Sequence, residues 1–141
     1  MTDRIQDSIG FNLFIVAAGL KTGLARVLRP FDITPEQFAT LSLLHERDGI
    51  QQSVISDLLL KDRPNISRIL ERLQQKKLVR RQADSQDRRA IHVYITPSGN
   101  KMFSDIEGSV AEFRAQAYRG LSRVEQQHLI EMLQLISKNL G

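Results

Sequence analysis

Between Ile66 and Ile95 the apolar period of this chain changes from helical to two, and that change restricts the fold more than any other feature. Ile66, Ile69, Leu70 and Leu73 follow the i, i+3, i+4, i+7 spacing of one helix face. Ile91, Val93 and Ile95 then alternate with His92, Tyr94 and Thr96, the pattern of a half-buried strand. Val79–Ala83 is a second strand candidate, and the polar Asp84-Ser85-Gln86-Asp87-Arg88-Arg89 between them reads as the turn of a β-hairpin.

The flanking segments read as helices with clear punctuation. Ile9, Leu13, Val16, Leu20, Leu24 and Val27 predict one long helix over 5–28, ended by Arg29-Pro30. Phe11, Phe14 and Ile15 widen its apolar stripe beyond what one neighbour covers. Thr34-Pro35-Glu36-Gln37 is a helix start with a capping box, followed by a buried stripe of Phe38, Leu41 and Leu44 and a stop at Asp48-Gly49. A short helix over roughly Gln52–Leu60 buries Val54 or Ile55 with Leu58 and Leu59. Asp62 caps the next helix, through about Lys76, with Pro64 tolerated in its first turn. Pro97-Ser98-Gly99 opens a helix with Met102, Ile106, Val110, Phe113 and Ala117 on one stripe, and Gly120 breaks it. Ser122-Arg123-Val124-Glu125 is a capping box for a last helix carrying Leu129, Leu133, Ile136 and Leu140. The expected fold is mainly α with a small β-hairpin wing, in the order α-α-α-α-β-β-α-α.

Two short helices joined by a tight turn and followed by a basic hairpin form a winged helix-turn-helix pattern. Charge is concentrated there: residues 61–92 hold ten of the twenty Lys and Arg against four acids, leaving the rest of the chain net negative. A cation cluster is the footprint of a polyanion site or a solvated face, and charge alone does not choose. The pattern chooses, because the inward Ile/Leu stripe turns Asn65, Ser67, Arg68, Arg72 and Gln75 outward. In a major groove, Arg reads guanine and Asn reads adenine. Asn65, Ser67 and Arg68, early in the helix, are the expected base readers, and Arg63 and Arg72 the expected phosphate contacts.

Other chemistries lack their parts. No cysteine is present, so there is no disulfide or thiol switch. His45, His92 and His128 are scattered, without metal-ligand spacing. No phosphate-binding glycine loop appears, and Gly19 and Gly23 are expected to serve close helix packing. Neither a catalytic site, a cofactor nor a metal is expected. No apolar run approaches the roughly 18 residues that span a bilayer. The N-terminal residues lack a basic signal region. No membrane association and a cytoplasmic location are therefore expected.

The stretch Asp84-Ser85-Gln86-Asp87-Arg88-Arg89-Ala90-Ile91-His92-Val93-Tyr94-Ile95-Thr96-Pro97-Ser98-Gly99 resembles the wing signature of the MarR family: an Asp-x-Arg turn, an alternating strand, then Thr-x-x-Gly. Pro64-Asn65-Ile66-Ser67-Arg68-Ile69-Leu70-Glu71-Arg72-Leu73 is similar to the family's recognition helix, and Gln52 stands where the preceding helix often starts. The likeness in element order covers essentially the full length. It implies a homodimeric transcriptional regulator, a repressor released by a small-molecule effector, on a pseudo-palindromic double-stranded operator. Residues 1–141 would form one domain, with 34–97 as the DNA-binding lobe and 1–30 and 98–141 as dimerisation helices.

By that resemblance Arg89 enters the minor groove, flanked by Arg88, and Asp87 pairs with it; the alternative for Asp87 is a turn residue bonding its own backbone. Ile5, Ile9, Leu133, Ile136 and Leu140 are candidate interface residues or ordinary core. A small aromatic effector would draw on Phe11, Phe14, Ile15, Phe38 and His45, which core packing also explains. Lys77 occupies a position after the recognition helix where the family commonly has glycine, and Leu60 stands in the helix-turn-helix corner where a small residue is expected. A winged-helix protein-interaction module and a non-specific nucleic-acid-binding protein are the two rival readings.

Overall fold

The computed structural model describes residues 4–141; Met1–Asp3, at the start of the expected N-terminal lobe, lie outside them. Six helices and three strands follow in the order α1 (Ile9–Leu28), α2 (Pro35–Glu46), β1 (Ile50–Gln51), α3 (Gln52–Leu59), α4 (Arg63–Gln75), β2 (Val79–Ala83), β3 (Ile91–Ile95), α5 (Pro97–Ala117) and α6 (Arg123–Leu140). The expected winged helix-turn-helix class stands, with two corrections to its elements.

The first concerns the N-terminus. The single helix expected from residue 5 is instead a 3₁₀ turn at Ile5–Asp7, and α1 starts only after Ser8, whose hydroxyl accepts from the Phe11 amide at 3.3 Å. Ser8 is a better start than an unbroken apolar run because its side chain satisfies an amide that the first turn leaves without a partner. The second concerns the wing. The sheet has three strands in the order β1-β3-β2, all antiparallel, because Ile50 and Gln51 pair with Val93 and His92 on the free edge of the hairpin. Two residues are too short to show an alternating pattern, so β1 carries no sequence signal.

The caps are local and fall where expected. Thr34 and Gln37 bond reciprocally at the start of α2, and Ser122 and Glu125 do the same at α6. Asp62 caps α4 through the Asn65 amide at 2.8 Å.

The core gathers Phe38, Leu41 and Leu44 of α2, Ile55 of α3, and Ile66, Leu70 and Leu73 of α4. Leu78, Val79 and Val93 join it from the sheet side, Ile106 and Val110 from α5, and Leu28 from the end of α1. Ile55 is the buried member of the Val54/Ile55 alternative; Val54 and, against expectation, Leu58 are exposed. An eight-residue helix presents only one narrow stripe inward, and Ile55 and Ser56 fill it. Ala117 also lies exposed at the end of α5, past the region where that helix meets its neighbours.

The terminal helices are otherwise thinly covered. Leu28 is the one buried residue that α1 contributes, and α6 contributes none. Ile9 (69% exposed), Phe14 (71%) and Leu140 (83%) stand open, beside Leu13, Val16, Val124, Leu129, Ile130, Met132 and Leu135. The segment Ile9–Phe31 is long and apolar enough, by length and composition, to cross a membrane, which corrects the expectation that no run approaches that length. Its C-terminal half nonetheless packs on protein. Gly23 lies against Phe113 of α5 so closely that a Cβ would fall 2.5 Å from the ring, and Lys21 pairs with Glu36 of α2 at 3.2 Å. Gly19 has open space around it, so the close-packing role expected of both glycines belongs to Gly23 alone.

Candidate nucleic-acid interface

The recognition helix is held by its exit as firmly as by its core face. After α4 the chain turns through Lys77, which takes the left-handed conformation (φ 64) that glycine would adopt without strain. The cap is therefore present, carried by lysine: the Lys77 amide donates to Gln74 at 2.9 Å and the Leu78 amide to Leu73 at 2.9 Å, the paired bonds that close a helix C-terminus. Leu60, in the corner between α3 and α4, is likewise left-handed (φ 52) and 91% exposed.

On the outer side of α4, Arg63, Pro64, Arg68 and Arg72 are exposed, and Asn65 and Ser67 are half-buried. Arg68 donates to the Asn65 Oδ1 at 3.3 Å, so two of the three expected base readers are held side by side. The wing tip carries Asp87, Arg88 and Arg89, all exposed. Asp87 fills both roles open to it: its Oδ1 accepts from the Arg89 amide at 3.1 Å and stands 4.0 Å from the Arg89 Nε. The backbone bond shapes the turn, and the longer ion pair biases where the guanidinium lies. A cleft of about 270 Å³ brings Arg63, Asp87 and Arg89 together with Gln51, Gln52 and Ser53 at the start of α3. The start of α4 and the wing tip thus face one cleft, with Arg63 and Arg89 both on its wall.

Three of the five remaining cations of residues 61–92 are engaged within the fold. Lys76 bonds the Asp32 carbonyl and pairs with its carboxylate at 3.4 Å. Arg81 donates to Gln74 at 2.9 Å, and Arg80 lies 4.2 Å from the centre of the Tyr94 ring while donating to Gln82. These three serve the fold, while the arginines of α4 and the wing stay exposed, as does Lys77.

A network at the wing base carries no signal in the sequence. Asp84 accepts the Gln86 and Asp87 amides through one carboxylate oxygen, and its other oxygen stands 3.0 Å from the His92 Nε2. The His92 Nδ1 stands 3.0 Å from the Gly49 carbonyl. The Gln86 amide, then His92 and the Asp87 amide, hold the Asp84 carboxyl below its usual range; the Gly49 carbonyl, then Asp84, raise the His92 imidazole.

The expected effector residues are not gathered in one place. Phe38 and His45 share a cleft of about 460 Å³ with Phe103, Val110 and Arg114, where His45 stacks on Phe103 at 4.2 Å. Phe11, Phe14 and Ile15 lie on α1 and do not line it. Of the expected interface residues, Ile5, Ile9 and Leu140 are exposed and Leu133 and Ile136 half-buried, and none belongs to the core.

A cap-fixed helix with an outward polar face, followed by a three-stranded wing tipped with arginine, defines a winged helix-turn-helix protein. The MarR family model matches residues 31–90, from the end of α1 to the wing tip. Solved structures extend the likeness over nearly the whole chain. A structure described as a "probable transcriptional regulator from Pseudomonas aeruginosa" is 29% identical, with 94% of this chain and 99% of that chain covered and a TM-score of 0.84. The MepR protein of S. aureus, solved in complex with DNA, is 28% identical, with 94% and 98% covered and a TM-score of 0.83. A MarR-family regulator from Rhodococcus sp. RHA1 has the same fold at 22% identity, with 96% of each chain covered and a TM-score of 0.89. Over residues 31–90 the chain is similar to the MarR family, and over nearly its whole length it shares the fold of these solved regulators.

Proposed function

We propose that this chain is a homodimeric, sequence-specific DNA-binding repressor acting in the cytoplasm and released by a small-molecule effector. The observation that carries the DNA reading is the cationic character of α4 and the wing, with Arg63, Arg68, Arg72, Arg88 and Arg89 exposed while Lys76, Arg80 and Arg81 are spent on the fold. The related MepR, solved on DNA, supports it. In this reading Asn65, Ser67 and Arg68 contact base edges in the major groove, Arg63 and Arg72 hold phosphates, and Arg89, positioned by Asp87, enters the minor groove, where a narrow groove strengthens the negative potential.

Residues 34–97 act as the reading lobe, and 1–30 and 98–141 as the pairing lobe. The second copy is argued from the open apolar faces of α1 and α6, which a partner helix covers without the cost of leaving Phe14, Ile130 or Leu135 in water. A twofold pair sets the two recognition helices about one DNA turn apart and calls for a pseudo-palindromic operator. An RNA reading finds less support, because residues 61–92 hold no Phe, Trp or Tyr, and Tyr94 just beyond them carries Arg80 and packs on Gly49 instead of offering a free face. Regulation rather than catalysis is the proposed role.

The test is binding to a duplex from the chain's own upstream region across a salt series, with random-sequence DNA and RNA as competitors. A specific site with steep salt dependence is expected. Equal binding to all three competitors refutes sequence specificity.

A further inference from the structure

His92 is set between two groups that only accept hydrogen bonds. Its Nδ1 faces the Gly49 carbonyl and its Nε2 faces the Asp84 carboxylate, each at 3.0 Å. A neutral imidazole has one N–H and one lone pair, so it can serve one of these acceptors and must turn a lone pair toward the other. Both bonds form together only in the imidazolium. The two acceptors belong to different parts of the fold: Gly49 is in the turn leading to β1 and α3, and Asp84 opens the wing loop that carries Asp87 and Arg89.

We propose that His92 is a positioning residue for the wing, a proton-dependent tie that holds the wing base against the start of α3 and so sets where Arg89 meets DNA. The inference rests on the DNA-binding reading above. The surroundings leave the tie to these groups. On β1 the register partner of His92 is Gln51, and on β2 it is Gln82, both uncharged. Asp48 in the preceding turn is engaged by the Ile95 amide at 2.8 Å. Arg80, on the same face of the sheet, is drawn over Tyr94 and bonded to Gln82. Arg88 and Arg89 stand at the exposed loop tip. The face of β3 toward α2 and α3 carries Val93, which is buried and apolar. Asp84 is the ionised group that bonds to the ring, and with the Gly49 carbonyl it favours the charged form. The tie is therefore complete at low pH, and one of its two bonds is lost as pH rises through the raised value of His92.

Two measurements on the full chain decide this. In the free protein, the imidazole resonances of His92 are followed by NMR from pH 5 to 9 in wild type and Asp84→Asn. Titration above about 6.5, the ordinary histidine value, with Asp84→Asn lowering it, is expected. Binding to the fluorescein-labelled upstream duplex is then measured at pH 6.0 and 8.5, at constant ionic strength, for wild type and His92→Gln. Wild type is expected to lose roughly threefold more affinity over this range than His92→Gln, the scale of one neutral hydrogen bond. His92→Gln changes this one ionisable group, so the pH dependence contributed by the rest of the chain and by the duplex cancels in the comparison. Titration of His92 at or below the ordinary value, or equal pH dependence in the two proteins, overturns the proposal. Absence of duplex binding at both pH values overturns the DNA reading, and with it the role of the tie in binding. That failure is distinguishable because the titration is read without DNA.

Discussion

The hydroxyl of Thr96 donates to the carbonyl of Lys77 at 2.7 Å and accepts from the Gly99 amide at 3.0 Å, so one side chain closes the exit of the recognition helix and caps the start of α5. The Thr96 amide adds a bond to the Leu78 carbonyl at 3.0 Å. The reading helix and a helix of the proposed pairing lobe are therefore joined at a single point. Gly99 is needed there because a Cβ on it would overlap the Leu78 carbonyl oxygen and come within 2.6 Å of Ile95. Gly99→Ala is expected to destabilise the protein by about 2–3 kcal/mol, the scale of overpacking against a fixed backbone. Urea unfolding of the two proteins measures it.

Lys77 holds a left-handed turn at a cost that glycine would not incur. Lys77→Gly is expected to stabilise the fold by about 1 kcal/mol, with the urea midpoint rising at unchanged slope. A lower midpoint would mean that the lysine side chain offsets its own backbone strain.

Arg89 and Asp87 should separate in DNA binding. Arg89→Ala removes the proposed wing contact and is expected to weaken binding about tenfold or more, with the salt slope falling by about one. Asp87→Asn keeps an oxygen for the Arg89 amide while deleting the charge. It is expected to cost less, a ranking that fluorescence anisotropy resolves.

The acid stability of α6 should follow Glu125. Its carboxyl is lowered from the usual 4.5 by the Ser122 amide and then by the Ser122 hydroxyl interaction, so its contribution is complete above 4.5 and is lost as pH falls through the lowered value. Amide exchange in α6 should rise over that window. In Ser122→Ala, which loses the cap at about 1 kcal/mol, exchange should be fast already at neutral pH.

Ile9 and Leu140 test the pairing lobe. Both are exposed in the single chain, so the double variant Ile9→Glu, Leu140→Glu should fold as a protomer yet shift the mass seen by light scattering from dimer toward monomer. An unchanged dimer mass would place the interface elsewhere.

Features readable in the sequence are those whose partners lie within one turn or one period. The boxes at Thr34–Gln37 and Ser122–Glu125 and the Asp62 cap each span three residues, and a side chain with that reach has little choice of partner. The stripe from Ile66 to Leu73 and the alternation from Ile91 to Ile95 likewise repeat often enough to identify the element and its buried face. Asn65, Arg68 and Arg89 were legible as candidates for the same reason, since the inward stripe and the hairpin turn leave them outside.

What required the tertiary structure depends on groups far apart in the chain. β1 exists because the free edge of β3 lies beside Ile50 and Gln51, and the His92 tie closes only when Gly49, 43 residues away, arrives at its Nδ1. Gly19 and Gly23 are alike in sequence, and only the position of Phe113 tells them apart. The division of cations between the fold and the proposed DNA face is of the same kind, since Lys76 is taken by Asp32, 44 residues away. Sequence by itself determined the longer elements, most of their buried faces and the family likeness, because those rest on local periods and caps. Tertiary structure decided which like residues are engaged, because a bond across the fold depends on distances that no local pattern encodes.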